Sequence, residues 1–198
     1  CDYSDIVIDI HGNVYPTIII GEQEWMAENL KVSHYNNGSP IANGFNEEDW
    51  THQNDEEIGA FVIYDDESGN AETYGNLYNW YAVENNQGVC PDGWDVPSDE
   101  DWMELEMFLG MSESEVNGVG FRGTNEGSKL AGNSNLWYSG SLENNSEFGV
   151  SGFNALPSGY RNYTGYEYSA MGFYCHFWSS TSNHSLNSWR RAVGYNNS

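Results

Sequence analysis

The stretch Cys90–Trp102, CPDGWDVPSDEDW, limits what this chain can fold into more than any other segment. Its first four residues predict a turn, because proline fixes φ and glycine accepts positive φ. Pro97 keeps the residue before it out of the helical region. Ser98 and Asp101 have the spacing of a capping box, which marks a helix start. The stretch therefore predicts a turn, a short extended piece and a helix over 98–109.

The apolar residues that follow this cap predict which face of the helix is buried. They recur at helical spacing, at Trp102, Leu105, Phe108 and Leu109. Gly110 can end the helix. Trp94 and Trp102 are both predicted to be core residues. Tyr74–Val83 is a second helix candidate, because its apolar residues also share one helical face.

Other segments predict short strands and long loops. The β-branched run Thr17–Ile20 should pair with Trp25-Met26 across a turn at Gly21-Glu22. Residues 33–57 are polar and predict a long surface loop, and residues 123–149 have no sustained period and predict further loops. The C-terminal part predicts three strands of a final antiparallel sheet, at Gly152–Tyr160, Gly172–Ser180 and Trp189–Tyr195.

Five segments in this order resemble one known family, the Fibrobacter succinogenes major paralogous domain. They are Gly12–Tyr15 with Glu24–Lys31, Tyr74–Ala82, Cys90–Trp102, Ser151–Arg161 and Phe177–Thr181. The resemblance implies an α+β, C-type-lectin-like fold, with two helices packed on small antiparallel sheets and long irregular loops. It also implies a secreted or surface protein of Bacteroidetes-type bacteria. It supplies no chemistry that can be carried over residue by residue.

Length and composition favour a single domain. The 198 residues include 22 glycines, 8 tryptophans and 14 tyrosines, a mixture typical of a loop-rich α+β protein rather than a helix bundle. There is no internal repeat and no linker. We expect residues 1–5 to be a tether and residues 6–198 to be one domain.

The charge excludes some partners. The chain has 30 acidic residues against 6 Lys plus Arg, a net charge of −24. Nucleic acid is not expected as a partner, since binding it needs basic residues that displace counterions. Docking on an anionic membrane is disfavoured for the same reason. Neutral glycans, basic protein surfaces and divalent cations remain, and the acidity could also serve solubility alone.

The chain starts at Cys1, as a bacterial lipoprotein does after its signal peptide is removed. We expect Cys1 to carry acyl chains and to anchor an outer-membrane, surface-exposed protein, with no other membrane contact. The alternative is an arbitrary start of the sequence.

Cys90 and Cys175 are the two other cysteines, and they could form a disulfide if Cys1 is acylated. The alternative is two buried free thiols. Formylglycine-generating enzymes share the lectin-like fold and use a cysteine pair, so an oxidase of that kind is a distant third function. Fold likeness alone does not support it, and no enzyme motif is present.

Metal binding has one candidate segment. Asp65, Asp66 and Glu67 lie in one predicted turn and could hold a structural calcium ion, although the spacing is not that of an EF-hand. No other cofactor is expected. The Glu-Pro-Asn and Trp-Asn-Asp motifs of sugar-binding C-type lectins are missing. The five histidines show no paired ligand spacing and are expected to be ordinary surface or core residues.

Aromatic residues give the best functional signal. We expect a binding surface from residues 123–149 and 160–176, formed by Trp137, Tyr138, Tyr163, Tyr166, Tyr168 and Arg161. Exposed rings stack on sugars or fill pockets in partner proteins, although half of these rings could be core. The leading hypothesis is a non-enzymatic accessory or scaffold module that binds another envelope protein. The alternative is glycan binding, which should show a flat row of rings, whereas a protein-binding module should show a larger mixed patch.

Overall fold

The computed structural model describes residues 5–44, 46–163, 167–184 and 187–196. The chain is a mixed α+β structure with two main helices, several small antiparallel sheets and many loops, so the predicted class is confirmed. The strands are β1 (Asp5–Ile8), β2 (Val14–Ile20), β3 (Gln23–Met26), β4 (Phe61–Val62), β5 (Leu77–Tyr78), β6 (Ser158–Arg161), β7 (Tyr168–Met171), β8 (Tyr174–His184) and β9 (Asn187–Gly194).

In chain order, the helices of the described residues come after β3 and before β6. They are α1 (Glu47–Asp55), α2 (Ser68–Tyr74), α3 (Trp80–Val83), α4 (Asp99–Leu109), α5 (Glu113–Val116) and α6 (Glu126–Leu130), with single 3₁₀ turns at Tyr64–Asp66 and Ser134–Leu136. α1 and α4 are the longest. None of the helices in the described ranges is long and apolar enough to cross a membrane.

The N-terminal sheet has the strand order β1-β2-β3, all antiparallel. Ile20 pairs with Gln23, so the predicted two-residue turn at Gly21-Glu22 is confirmed. Gly21 has φ +66°, a backbone conformation that favours glycine, and an added Cβ would lie 2.9 Å from the exposed Phe108 ring. Asp5 pairs with Thr17, so the sheet already includes the last residue of the predicted tether.

Helix α4 begins at the predicted capping box. The Asp101 backbone N donates to Ser98 Oγ at 3.1 Å, and the Ser98 backbone N donates to Asp101 Oδ2 at 2.8 Å. Gly110 ends the helix with φ +123°. Phe108, predicted on the buried face, is exposed, because the buried face is rotated toward Glu106.

The main core forms around the buried face of α4. Trp102 is 2% exposed, and its ring centroid lies 4.9 Å from Trp25, 5.9 Å from Phe153 and 5.5 Å from Phe177. Trp102 is therefore a core residue as predicted. Trp94 is only partly buried, which corrects its assignment to the core.

Two segments differ from the expected structure. Tyr74–Val83 is not one helix, because Gly75 has φ +74°, and a Cβ at this position would lie only 2.8 Å from Leu30 O. A short strand, β5, follows it, and then α3 begins with the Ala82 backbone N donating to Asn79 Oδ1 at 3.0 Å.

The polar segment 33–57 is not a plain surface loop. It contains α1, and it contributes three buried residues, Tyr35, Ile41 and Trp50, to two smaller core clusters. A few widely spaced apolar side chains anchor the segment to the core. Because their spacing is not periodic, the sequence pattern did not predict their burial.

A cluster of buried charges joins α4 to the C-terminal sheet. Both Glu106 carboxylate oxygens accept from Arg122 Nη2, at 3.0 and 2.8 Å, and Glu106 Oε1 also accepts from Arg191 Nε at 2.8 Å. Arg191 Nη1 donates to Asp99 Oδ1 at 2.6 Å. Glu106 and Arg191 are both buried, so each needs the other to stay charged away from water.

Replacing Glu106 by Gln should destabilise the fold strongly. The shape of the side chain is kept, but Arg122 and Arg191 both lose the buried carboxylate. Arg191 keeps Asp99, so the free energy of unfolding should fall by about 3 kcal/mol, the lower end for a broken buried ion pair. Urea denaturation followed by tryptophan fluorescence measures this. Glu104→Gln, on the exposed face of the same helix, is the matched control and should change stability by less than about 0.5 kcal/mol. Equal effects of the two changes would show that the buried charges do not hold α4 to β9.

Candidate functional site: an aromatic cleft

The pairing of β8 with β9 creates two different faces. Successive side chains of a strand point to opposite sides, so Tyr174, His176 and Trp178 share one face while Cys175 points to the other. Cys175 is fully buried in the main core. Opposite the rings, His176 pairs with Ala192 and Tyr174 pairs with Gly194. These small residues leave the aromatic face open.

This face forms one wall of a cleft of about 1330 Å³, the aromatic cleft. Six of the eight tryptophans line it: Trp25, Trp50, Trp80, Trp94, Trp102 and Trp178. The segment before α4 forms another wall, because the Ser180 backbone N donates to Pro97 O at 2.9 Å and holds that segment beside β8. Residues of β3, β5, β6, α1 and α3 also line it.

The rings of the cleft lie at different depths. Trp50, Trp80 and Trp102 are buried lining residues, at 4%, 6% and 2% exposed. Tyr163, 75% exposed, and Phe121 lie at the rim, while Trp94 is partly exposed. A ligand would therefore contact exposed rings first and buried rings only at the base of the cleft.

His176 is held neutral inside the cleft. Burial lowers the pKa of His176 to about 4, and the charge of Arg190 acts in the same direction. The Tyr160 ring packs edge-on against the imidazole, with centroids 5.2 Å apart. Nδ1 of His176 is buried and has no hydrogen-bond partner among the described residues. It offers a hydrogen-bonding position to a ligand.

Trp80 provides a second unused hydrogen-bonding atom. The residue is 6% exposed, and its Nε1 has no partner within the described part of the chain. The neighbouring Trp178, with its ring centroid 6.0 Å away, donates Nε1 to Tyr78 O at 2.9 Å. A buried indole N–H normally has an acceptor, so Trp80 marks a position where a ligand carbonyl or hydroxyl oxygen would be favourable.

Arg190 differs from most other basic residues of this protein because no ion pair involves it in the described ranges. In the described ranges it is exposed and has no carboxylate within salt-bridge distance. Lys31, Arg122, Lys129 and Arg191 each pair with at least one carboxylate. Arg190 thus leaves a cation available beside His176.

Arg161 has a different, structural environment. Its guanidinium lies 5.1 Å from the Trp50 ring centroid and 4.9 Å from that of Tyr168. Arg161 Nη1 donates to Tyr168 Oη at 3.2 Å, and Tyr168 Oη donates to Asp66 Oδ1 at 2.8 Å. This chain of contacts joins β6, β7 and the turn at Tyr64–Asp66 at the edge of the cleft.

The remaining charged residues of the cleft are acidic. They are Glu24, Glu28, Asp55, Glu57, Asp95 and Asp101, against the two arginines Arg161 and Arg190. The local potential is therefore predominantly negative, in line with the net charge of the whole chain.

A sequence match covers residues 18–198 and all of the cleft-lining residues. The matching family is the Fibrobacter succinogenes major domain. The chain belongs to this family. No curated protein and no solved structure matches the chain. The match confirms the family resemblance that the motifs indicated. The matched residues include every strand except β1 and the start of β2.

The aromatic residues expected to bind a ligand lie in different parts of the structure. Trp137 is 5% exposed and belongs to the main core, where its Nε1 donates to Gly132 O at 3.1 Å, so its assignment to a surface is corrected. Tyr138 is 57% exposed but stacks on Phe173 outside the cleft lining, at a centroid distance of 4.0 Å. Tyr163 does lie in the cleft. Tyr166 lies outside the described residues.

Tyr168 is partly buried and is used by the fold rather than presented to solvent. Burial raises its pKa, and its hydrogen bond to Asp66 adds to the effect. Arg161 lines the cleft, as a binding residue should, although Trp50 and Tyr168 already contact its guanidinium. The predicted set is therefore only partly brought together.

The two cysteines do not pair. Both are free thiols, which contradicts the predicted disulfide. They lie in different apolar clusters, Cys175 in the main core and Cys90 against a smaller one. Burial raises the pKa of each thiol to about 12. Cys1 lies outside the described residues.

The carboxylates proposed for calcium are not gathered into a site. Asp65, Asp66 and Glu67 are all exposed, and Asp66 accepts the hydrogen bond from Tyr168. Asp65 and Asp66 both have positive φ, so the backbone turns sharply at these two residues. No group of three or more His, Cys, Asp or Glu residues that could hold a metal occurs within the described ranges.

The sequence interpretation missed Trp94, Tyr160, His176 and Arg190 as site residues. Two signals could have found part of this set. Strict alternation in 174–178 places Tyr, His and Trp on one face of a predicted strand, and small residues recur on the facing strand at Ala192 and Gly194.

The ionisation of His176 is a direct test of the cleft geometry. Its pKa in the folded state, about 4, is below the ordinary 6.5, so the unfolded chain binds the proton first as the pH falls. This residue's contribution to stability is complete above pH 6.5 and is lost as the pH falls from there toward 4. NMR titration of the imidazole should give a midpoint near 4. Arg190→Gln should raise the midpoint yet leave it below 6.5, because burial is the larger cause. A wild-type midpoint near 6.5 would show that the cleft leaves the imidazole solvated.

Proposed function

We propose that this protein is a non-enzymatic binding module of the cell envelope that holds an extended segment of a partner protein in the aromatic cleft. The observation that carries the proposal is the size and mixed lining of the cleft. Its volume of about 1330 Å³ exceeds the roughly 300–1,000 Å³ typical of small-molecule pockets. Tryptophan, tyrosine and arginine, which line it, are the residues that most often dominate protein interfaces.

Charge favours a basic segment as the occupant. Six carboxylates and two arginines line the cleft, and the whole chain has a net charge of −24. A segment that carries Lys or Arg beside apolar side chains would be attracted at long range and then buried against the rings. The unpaired Nε1 of Trp80 could donate to a main-chain carbonyl of that segment.

The arrangement of the rings favours protein over glycan. Sugar-binding platforms need flat, parallel rings, but the cleft rings come from several elements and lie at different depths. Tyr160 and His176, for example, are inclined at 85°. One observation favours the glycan alternative: Trp94 and Tyr163 combine exposure with a position on the same cleft, where each could stack on a sugar face.

The state of the thiols supports a binding role over an oxidase role. Cysteine chemistry requires the thiolate. With a pKa raised to about 12, Cys90 and Cys175 stay protonated at neutral pH, and they lie in separate apolar clusters. A formylglycine-generating type of reaction, which uses a cysteine pair, would need both to be reactive and adjacent.

Photocrosslinking in the native host cell tests the proposal. A photoreactive benzoylphenylalanine in place of Tyr163 or Phe121 puts the crosslinker at the cleft rim, and Tyr138 offers a matched exposed ring outside the cleft. Both cleft positions should give the same discrete protein adduct, and Tyr138 should not. Mass spectrometry of the adduct should map the crosslink to one extended, basic segment.

The same experiment distinguishes the alternative. If neither cleft position gives a protein adduct, while Trp94→Ser and Tyr163→Ser abolish retention on polysaccharide and Tyr138→Ser does not, the cleft binds glycan. An adduct that forms equally well from Tyr138 would place the interface elsewhere on the surface and would overturn the cleft proposal.

The envelope location needs its own measurement. Metabolic labelling with a clickable palmitate, followed by cell fractionation, should place the native protein with the outer membrane and should put the label on Cys1. A Cys1→Ser variant that still incorporates label would contradict lipidation at this residue.

A further inference from the structure

Two histidines that are far apart in sequence meet in the fold. His11 Nε2 and His34 Nδ1 share a hydrogen bond of 2.8 Å, and the ring centroids are 4.5 Å apart with the planes inclined at 60°. They are separated by 23 positions, so no local spacing reveals the pair. Both are surface or partly buried residues, as expected from the sequence, but their contact was not expected. Neither residue lines the aromatic cleft.

A rigid turn holds His11 in place. Asp9 is buried, and its Oδ1 accepts from the backbone N of His11 at 2.9 Å and of Asn13 at 3.0 Å. Its Oδ2 accepts from Asn13 Nδ2 at 2.7 Å and from Tyr15 Oη at 2.9 Å. Four hydrogen bonds to one carboxylate fix the turn between β1 and β2, while the His11 side chain remains exposed.

A second closed turn holds His34. The Tyr35 backbone N donates to Ser39 O, and the Ile41 backbone N donates to Ser33 O, both at 2.9 Å. Tyr35 and Ile41 are buried, so they anchor the turn to the core. His34 is therefore presented by a supported backbone, and the two imidazoles approach each other from independently fixed elements. Little conformational entropy remains to be lost when a ligand joins them.

We infer that His11 and His34 form a two-imidazole site for a divalent transition-metal ion, with Cu²⁺ as the best fit. Nitrogen–metal bonds of roughly 2.0–2.1 Å from two atoms 2.8 Å apart enclose an angle of about 86° at the metal. Adjacent positions of a square-planar site, the geometry of Cu²⁺, are close to this angle. A tetrahedral ion would need the nitrogens about 0.5 Å further apart.

The tilt of the rings fits a shared ion. Two imidazoles that faced each other head-on across 2.8 Å would have centroids further apart than the observed 4.5 Å. The ring axes therefore deviate from the line between the nitrogens. An ion that displaced the shared proton would let both lone pairs converge on it with little movement of the rings. Each neutral imidazole would then keep its single proton on its other ring nitrogen.

The remaining ligands would be water. Within the described ranges no third His, Cys, Asp or Glu joins the pair. Ser33 Oγ is hydrogen-bonded to His34 Nδ1 at 3.1 Å and lies beside the pair. A site with two protein ligands binds more weakly than a closed structural site and exchanges its ion readily. The net charge of −24 favours the approach of a dication.

Copper titration of the purified full chain tests the inference. Cys1 is replaced by Ser in every protein compared, so that a thiol does not compete, and excess MgCl₂ occupies the carboxylates. Calorimetry with CuCl₂ should show one equivalent bound, and electron paramagnetic resonance should show coupling to two imidazole nitrogens. Loss of an outer-shell partner already costs metal sites about tenfold or more, so His11→Asn and His34→Asn should each weaken binding at least tenfold.

The matched control is His52→Asn, an exposed histidine on α1, which should leave both the affinity and the two-nitrogen spectrum unchanged. Circular dichroism should show that the two surface variants stay folded. Unchanged copper affinity in His11→Asn or in His34→Asn would overturn the inference. So would a wild-type spectrum without two equivalent imidazole nitrogens.

Discussion

The packing of the Trp102 indole is the contact on which the rest of the structure depends, because it joins helix α4 to both the N-terminal and the C-terminal part of the chain. Its ring contacts Trp25 of β3, Phe153 of a C-terminal loop and Phe177 of β8. Its Nε1 donates to Trp178 O at 3.4 Å. A single side chain of α4 thus links β3, a C-terminal loop and β8, and it also lines the aromatic cleft.

Scarce positive charge reinforces this arrangement. The chain has six Lys and Arg residues, and Arg122 and Arg191 are both committed to the buried carboxylate of Glu106. Arg191 lies next to Arg190, so adjacent residues of β9 point to opposite faces and perform different tasks. One neutralises a buried acid behind the strand, and the other faces the cleft without a carboxylate partner in the described structure.

Sequence reasoning succeeded where a short motif contains its own chemistry. The capping box at Ser98 and Asp101 and the hairpin at Gly21-Glu22 depend on neighbours within a few residues, and both form as predicted. It failed where exposure is decided by distant parts of the chain. Trp137 and Trp94 both lie in irregular segments with glycine nearby, yet the first finds an acceptor in the core and the second lines the cleft. The pair His11 and His34 depends on two turns whose relative position no local pattern contains.

The alternation along β8 separates two kinds of evolutionary constraint. Cys175 and Phe177 are packed into the main core, so substitutions there must preserve volume and apolar character. The alternate residues Tyr174, His176 and Trp178 face the cleft. The small residues Gly194 and Ala192 pair with the first two of them on β9. A paralogue could therefore acquire a new partner by exchanging every second residue of one strand while its core stayed intact. Paralogues of this kind would diverge in recognition much faster than in stability.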